Sequence, residues 1–289
     1  MMIGPILVTG GQGQVAQALA RLAPARNMEV VVFGRPEFDF DRPETVQAAF
    51  ASRRWAAVVN AAAYTAVDAA EADEAGAARA NRDGPALLAA LSARAGIPFI
   101  HISTDYVFAG DKGAPYLESD ATNPTGAYGR TKRDGEEAVM QAGGASVILR
   151  TAWVYSDTGK NFVKTMLAAG AKLPKLRVVA DQIGSPTAAA DLATAILDII
   201  ARIEEGGWKP AYAGIFHATG SGETSWHGLA IATFEEAQRH GGPFPEVEAI
   251  ATADWPTPAK RPADSRLDNT KLRETFGVTL PDWRASLAR

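Results

Sequence analysis

Tyr128 and Lys132 stand four residues apart in the stretch Gly126-Ala127-Tyr128-Gly129-Arg130-Thr131-Lys132. On a helix that spacing stacks the phenol and the ammonium on one face, one turn apart. A phenol titrates near pH ~10 in isolation, and a nearby cation stabilises its anion, so the proton becomes usable nearer neutrality. Such a pair can do acid–base work, although a surface Tyr and Lys on an ordinary helix would share the spacing. Ser103-Thr104-Asp105-Tyr106 forms a second group, at the end of an apolar run over 97–103. Its hydroxyls could hydrogen-bond a substrate carbonyl beside Tyr128. Ser and Thr at a strand end also cap turns without doing chemistry.

A proton donor of this kind needs a reaction to serve, and the start of the chain supplies a candidate. Residues 5–9 are a short apolar run ending in Gly10-Gly11-Gln12-Gly13-Gln14-Val15-Ala16, after which Val15, Leu19 and Leu22 recur at helical spacing. Strand, glycine turn and helix in that order predict a dinucleotide site, with Gly10 and Gly13 where the backbone must turn or approach a pyrophosphate and helix N–H groups facing the phosphates. The second strand, 29–33, ends in Phe33-Gly34-Arg35, where an acid would usually meet a free ribose 2′-hydroxyl. Arg35 can instead pair with a 2′-phosphate, which favours NADPH over NADH; a solvated arginine is the other reading. Asp39 and Phe40 follow and could border the adenine.

The elements that would position these groups alternate strand and helix. Strands are predicted over 56–60, 97–103, 147–149 and 177–180, and helices over 128–141, 161–169 and 191–202. The acidic stretch Asp68, Glu71, Asp73 and Glu74 opens a further helix, where carboxylates favour the positive end of the dipole. The segment 111–128 is rich in Gly, Pro and Asn and reads as a loop feeding Tyr128 into its helix. Trp153, after the fifth strand, offers an aromatic wall for a ring-shaped substrate or a buried core side chain. Beyond Gly206-Gly207 the elements shorten and the alternation breaks down. The fold expected is α/β, a Rossmann-type doubly wound parallel sheet with a smaller mixed α/β substrate-binding domain. The dinucleotide domain spans 1–150 with a contribution from 188–206, and the smaller domain 151–187 and 207–289. Lys260, Arg261 and Arg266 put three cations in seven residues, enough to neutralise a diphosphate, or to solvate a loop.

Composition sets the outer bounds. An apolar fraction of 47% over 289 residues supports a sizeable core, and 29 Lys and Arg against 33 Asp and Glu give a net charge of −4. With no long basic run, general affinity for nucleic acid or anionic membranes is not expected. There is no cysteine, so thiolate chemistry is excluded, and His101, His217, His227 and His240 lack the spacing of a zinc site. The apolar start Met1-Met2-Ile3-Gly4-Pro5-Ile6-Leu7-Val8 lacks a basic leader and reads as a first strand, and no run of ~18 apolar residues occurs. A cytoplasmic protein is the expectation.

The glycine loop, Asn60-Ala61-Ala62-Ala63, Ser103-Thr104-Asp105-Tyr106-Val107-Phe108 and Tyr128-x-x-x-Lys132 together resemble an extended short-chain dehydrogenase/reductase. Asn60 to Asp68, Arg150-Thr151-Ala152-Trp153-Val154-Tyr155, Asn161-Phe162, Asp181-Gln182-Ile183-Gly184-Ser185-Pro186-Thr187 and Arg261 to Leu267 narrow the likeness to the dTDP-4-dehydrorhamnose reductase family. That resemblance covers most of the chain in the same order. It implies reduction of a C4 ketone on a dTDP-sugar by NADPH or NADH, with Tyr128 as proton donor, Lys132 tuning the phenol and holding the nicotinamide ribose, and Thr104 bonded near the reacting oxygen. It places Gly13, Gln14, Val15, Arg35, Asp39, Phe40, Ala63, Tyr64 and Thr65 along the cofactor, and Asp105 and Trp153 on the sugar nucleotide. Two departures bear on metal and assembly. Ala18 and Ala190 stand where members with a magnesium-bridged dimer carry glutamates, and methyl groups cannot ligate a hard cation. Magnesium is therefore not expected, and a monomer or a homodimer stays open. Ala16 replaces the family's more usual glycine, which the fingerprint tolerates. A non-catalytic NADP-binding regulatory subunit and an epimerase on another nucleotide sugar are the alternatives.

Overall fold

The computed structural model describes residues 4–289, so Met1-Met2-Ile3 of the predicted first strand lie outside the described residues. The first half of the chain forms β1 (Ile6–Thr9), α1 (Gln14–Leu22), β2 (Val30–Phe33), α2 (Pro43–Ala51), β3 (Ala57–Asn60), α3 (Val67–Ala70), α4 (Glu74–Ala78), α5 (Gly84–Ala95), β4 (Phe99–Thr104), α6 (Ala127–Gln141) and β5 (Ser146–Thr151). There follow β6 (Val154–Tyr155), α7 (Phe162–Gly170), β7 (Lys175–Val179), β8 (Ile183–Gly184), β9 (Thr187–Ala188), α8 (Ala189–Gly206), β10 (Gly214–His217), β11 (Thr224–Ser225), α9 (Trp226–Arg239), β12 (Glu246–Ile250), α10 (Thr270–Phe276) and α11 (Trp283–Leu287).

Six strands pair in the order β10-β5-β4-β3-β1-β2, every pair parallel. From β1 the chain steps outward to β2 and then returns to β3 on the other side. The loops leaving β1 and β3 therefore diverge, and a crevice opens at the carboxyl ends of those strands. β1, β2 and β3 read as near-continuous apolar runs because both faces are covered, while β4 and β5 carry His101 and Arg150 buried among apolar neighbours. Ile6, Val8, Val59, Val147 and Leu149 pack with side chains of α1, α8 and α10, while Leu7, Val58, Phe99 and Ile148 pack with Val46 of α2, Leu88 of α5 and Val139 of α6. Each such side chain contributes roughly 1.5–3 kcal/mol by leaving water, so the sheet is a rigid platform for what its edge carries.

The rest of the chain builds three small pairings, β7 with β12, β8 with β11 and β6 with β9. Phe234 and Ala230 of α9 cover Leu176 and Val178 of β7. The boundary read at residues 206–207 is corrected in one respect. β10 hydrogen-bonds alongside β5 in the large sheet, and Leu272 and Phe276 of α10 lie in its core cluster. Phe216 is fully buried there, so a four-residue strand that opens on Gly214 is fixed by packing and not by length. Ala18 sits in the same cluster as the residues of α8, and among the described residues no group of three or more His, Cys, Asp or Glu could hold a metal ion. Among the described residues no helix is long and apolar enough to cross a membrane.

Candidate active site

A cleft of about 1130 Å³ runs along the crevice, from the glycine loop past Thr104, Tyr128 and Lys132 to Trp153. It exceeds the ~300–1,000 Å³ of a pocket for one small molecule, so two ligands can share it. Gly10 has φ +109°, and a Cβ there would lie 2.9 Å from the Ala61 carbonyl oxygen; Gly11 has φ +50° and packs against Gly34. Gly13 begins α1 without a side chain bonded to the helix's first amides, and the first turn holds no acid. A bare loop pressed on the sheet under uncapped amides suits a pyrophosphate. Gln14, Val15, Ala63, Tyr64, Thr65, Phe40 and Arg35 line the same end of the cleft. Asp39 does not. It accepts from Arg35 Nε at 3.1 Å, and although burial opposes this, the Asp41 amide and Arg35 hold its carboxyl below its ordinary range. Arg35 also meets Asp41 at 3.0 Å, so its guanidinium lies between two carboxylates.

At the centre, β4 delivers Thr104 and α6 delivers Tyr128. Thr104 Oγ1 donates to Asp105 Oδ1 at 2.8 Å and accepts from the Tyr106 amide. Burial pushes the Tyr128 phenol up to about 12, against a hydrogen bond with Thr104. This corrects the expectation that Lys132 would bring the phenol toward neutrality. Lys132 Nζ donates to the Ile102 carbonyl at 2.6 Å, and burial, against the pull of Glu136, brings its own pKa down to about 8. A phenol that stays protonated near neutrality is a donor waiting for a base, which a developing alkoxide supplies. Asp105 is almost fully buried, and burial raises its carboxyl to about 6 against hydrogen bonds from Ser265 and Thr104.

The helix carrying Tyr128 is docked by residues that the sequence reading did not assign to the site. Gly126 offers α6 no side-chain cap, and Glu71 supplies one from elsewhere, its Oε1 accepting from the Ala127 amide at 2.8 Å. Glu74 grips Arg130 through two bonds of 2.9 and 2.8 Å. Asn81 sits in a π-helical turn, Arg79–Asp83. Its Oδ1 accepts from the Tyr64 amide at 2.8 Å and its Nδ2 donates to Thr131 Oγ1 at 3.1 Å, which ties the loop after β3 to α6. The acidic stretch thus works as an anchor for the phenol. Its charge pattern showed in the sequence; its partners, some fifty residues away, did not.

Across the cleft, Trp153 adopts φ +50°, a conformation costly for a bulky side chain, and its indole stacks on Trp226 at 3.5 Å between ring centroids. Gly184 makes the room, since a Cβ there would lie 2.5 Å from the Trp153 ring. Trp226 was missed from sequence; its only local signal is the Ser225 cap on the Gly228 amide that starts α9. Arg261 and Arg266 lie outside the cleft. Arg261 Nη2 bonds Asp68 at 2.7 Å and leaves Nη1 buried with no partner among the described residues. Arg266 is held by Asp264 at 2.8 Å and Glu223 at 3.0 Å, beside a separate cavity of about 290 Å³.

The model of the family RmlD substrate binding domain matches residues 4–289. A dTDP-4-dehydrorhamnose reductase of Sinorhizobium fredii is 45% identical over 98% of this chain and 95% of that protein. Among solved structures, the Clostridium acetobutylicum dTDP-4-dehydrorhamnose reductase aligns with a TM-score of 0.90 at 37% identity, over 98% of this chain and 97% of that one. The Bacillus anthracis dTDP-4-dehydrorhamnose reductase in complex with NADP has the same score at 31% identity, with the same coverage of both chains. Fold, site and likeness agree along the whole described length, and the chain belongs to the dTDP-4-dehydrorhamnose reductase family.

Proposed function

We propose that the protein reduces the C4 ketone of dTDP-4-dehydro-β-L-rhamnose to dTDP-β-L-rhamnose, the last step in making that sugar nucleotide, and that NADPH is the reductant. When bound, the nicotinamide supplies the hydride. The observation that carries the reading is Tyr128, protonated and beside Thr104, between a glycine cradle and a tryptophan wall within one cleft. Tyr128 gives its proton to the ketone oxygen, Thr104 bonds the same oxygen, and Trp153 flanks the sugar ring with Asp105 beside it. Lys132 holds the nicotinamide ribose on this reading. Arg261, with Nη1 unspent, and Arg266 are its cations for the diphosphate or nucleoside, which needs the sugar nucleotide to reach past the cleft that Thr104 and Trp153 line. Arg35, which lines the cleft, supports recognition of a 2′-phosphate, and NADH is the second reductant on this reading.

The division of labour follows the fold: the large sheet with α8 holds the dinucleotide, and the smaller pairings with α9 hold the substrate. The protein works in the cytoplasm, as a monomer or homodimer, and Ala18 and Ala190 give magnesium no ligand. The test is consumption of NADPH by purified protein with dTDP-4-dehydrorhamnose. Tyr128→Phe is expected to keep NADPH binding, read by fluorescence titration, and to lose ~10²- to 10⁴-fold in kcat. A variant as fast as the parent would remove Tyr128 from the chemistry.

A further inference from the structure

Behind Lys132 the sheet carries a row of buried polar side chains for which the reduction has no direct use. The Ala62 amide donates to Thr9 Oγ1 at 3.1 Å, and the Thr9 hydroxyl lies 2.6 Å from Asn60 Oδ1. Asn60 Nδ2 lies 2.9 Å from His101 Nδ1, and His101 Nε2 lies 3.4 Å from Lys132 Nζ. Thr9, Asn60 and His101 have no exposed surface, and Lys132 has almost none. The row crosses β1, β3 and β4 and ends on α6.

Its first member fixes the direction of every bond. An amide N–H can only donate, so Ala62 takes one lone pair of the Thr9 hydroxyl, and the acceptor that hydroxyl's proton meets among the described residues is Asn60 Oδ1. A flipped Asn60 amide would leave that proton with no acceptor among the described residues, an arrangement that buried groups avoid. Asn60 therefore turns its NH₂ toward His101, and Nδ1 of His101 accepts. The ring stays neutral, because burial and the neighbouring Lys132 hold its pKa well below the ordinary value. A neutral imidazole has one proton, which here sits on Nε2 and faces the lysine.

We propose that His101 is a positioning residue for Lys132, locked as the Nε2–H tautomer by the Ala62, Thr9 and Asn60 row so that it opposes protonation of the lysine. An ammonium has no lone pair, so the charged form sets two donors head to head, whereas the neutral amine accepts from His101. Other groups face this nitrogen as well. Glu136 of α6 acts on it, and Tyr128, one turn back on α6, and Asp105, next to Thr104, are the other titratable groups of the same site. Glu136 favours the charged form, but Arg150 of β5 binds its carboxylate at 2.9 and 2.6 Å and Ser103 donates to it. Burial lowers the lysine's pKa against the pull of Glu136; on this proposal His101, 3.4 Å away, acts in the same direction as burial. The position of His101 thus sets the pH at which Lys132 loses its charge.

The structural arm of the test is independent of turnover. The imidazole ¹⁵N shifts of His101 in the intact protein should report a neutral ring with Nδ1 unprotonated across neutral pH; an Nδ1–H tautomer or an imidazolium would overturn the proposal. The kinetic arm rests on the reductase reading. There kcat/KM falls as pH rises through the Lys132 pKa, and His101→Leu should move that limb up by roughly one pH unit by removing the opposing donor. His101→Gln, whose amide can accept from Asn60 and donate to Lys132, should leave the limb where the parent has it. A folded His101→Leu protein with an unmoved limb, or equal shifts in both variants, sinks the proposal. If His101→Leu does not fold, the ¹⁵N measurement decides alone. A parent without turnover would count against the reductase reading and leave the tautomer result standing.

Discussion

Asp105 lies buried one residue beyond Thr104, with its carboxyl raised from 3.8 to about 6 by burial. A carboxyl of this kind binds its proton more tightly folded than unfolded. Its cost to stability is therefore absent below about pH 4, grows as pH rises through the window up to about 6, and is fully present above it. Asp105→Asn should raise stability at neutral pH by about 2 kcal/mol, with the advantage gone below pH ~4, while substrate turnover falls. Urea midpoints of parent and variant across that range check the sign. An advantage that does not change with pH would mean that the buried charge is not its origin. The same residue shows why local reading stops short: the order Thr104-Asp105 was visible, but Ser265, which acts on the carboxyl against its burial, comes from the far end of the chain.

At the scale of elements, what the sequence disclosed was what repeats locally. The apolar runs of β1, β3, β4 and β5, the glycine turn into α1 and the helix bearing Tyr128 each declare themselves within a dozen residues, and the structure has them within a few residues of the expected bounds. What escaped depends on partners distant in sequence. β10 is a strand because β5 offers it an edge, and Trp226 belongs to the cleft because Trp153 turns out of the β5 line to meet it. The expected lysine–phenol coupling failed for the same reason, since Lys132 is claimed by Ile102 and His101 of β4. Gly184 at β8 is one such junction, where a Cβ would meet the Trp153 ring. Gly184→Ala should displace the Trp153 indole, raising KM for the dTDP-sugar about tenfold with NADPH binding unchanged, a cost of roughly 1–2 kcal/mol for modest overpacking. Unaltered KM would show that the wall tolerates the shift or does not touch the sugar.

Over the whole molecule, the segment around 252–267 returns from the smaller pairings to the large sheet's edge. Asp68 receives the Ala259 amide at 3.1 Å and Arg261 at 2.7 Å, while the Asp264 amide bonds the Gly110 carbonyl at 2.9 Å. Asp68 is 42% exposed at its side chain, so the ion pair contributes at most about 1 kcal/mol and is open to screening by salt. Asp68→Ala should raise KM for the dTDP-sugar about threefold to tenfold in low salt, with the difference from the parent shrinking as salt is added. Equal KM values at every ionic strength would detach this clasp from binding.

The pairing of β7 with β12, Lys175 opposite Glu246, sets an order of assembly during synthesis. A strand cannot pair before its partner has left the ribosome, and domains tend to form as their last element emerges. The large sheet is complete once His217 is out, whereas β7 waits for Glu246 and the clasp for Arg261. A growing chain can therefore pair every strand under the cradle and the proton donor before β12 closes on β7, while α10, later still, completes the packing of the large sheet itself.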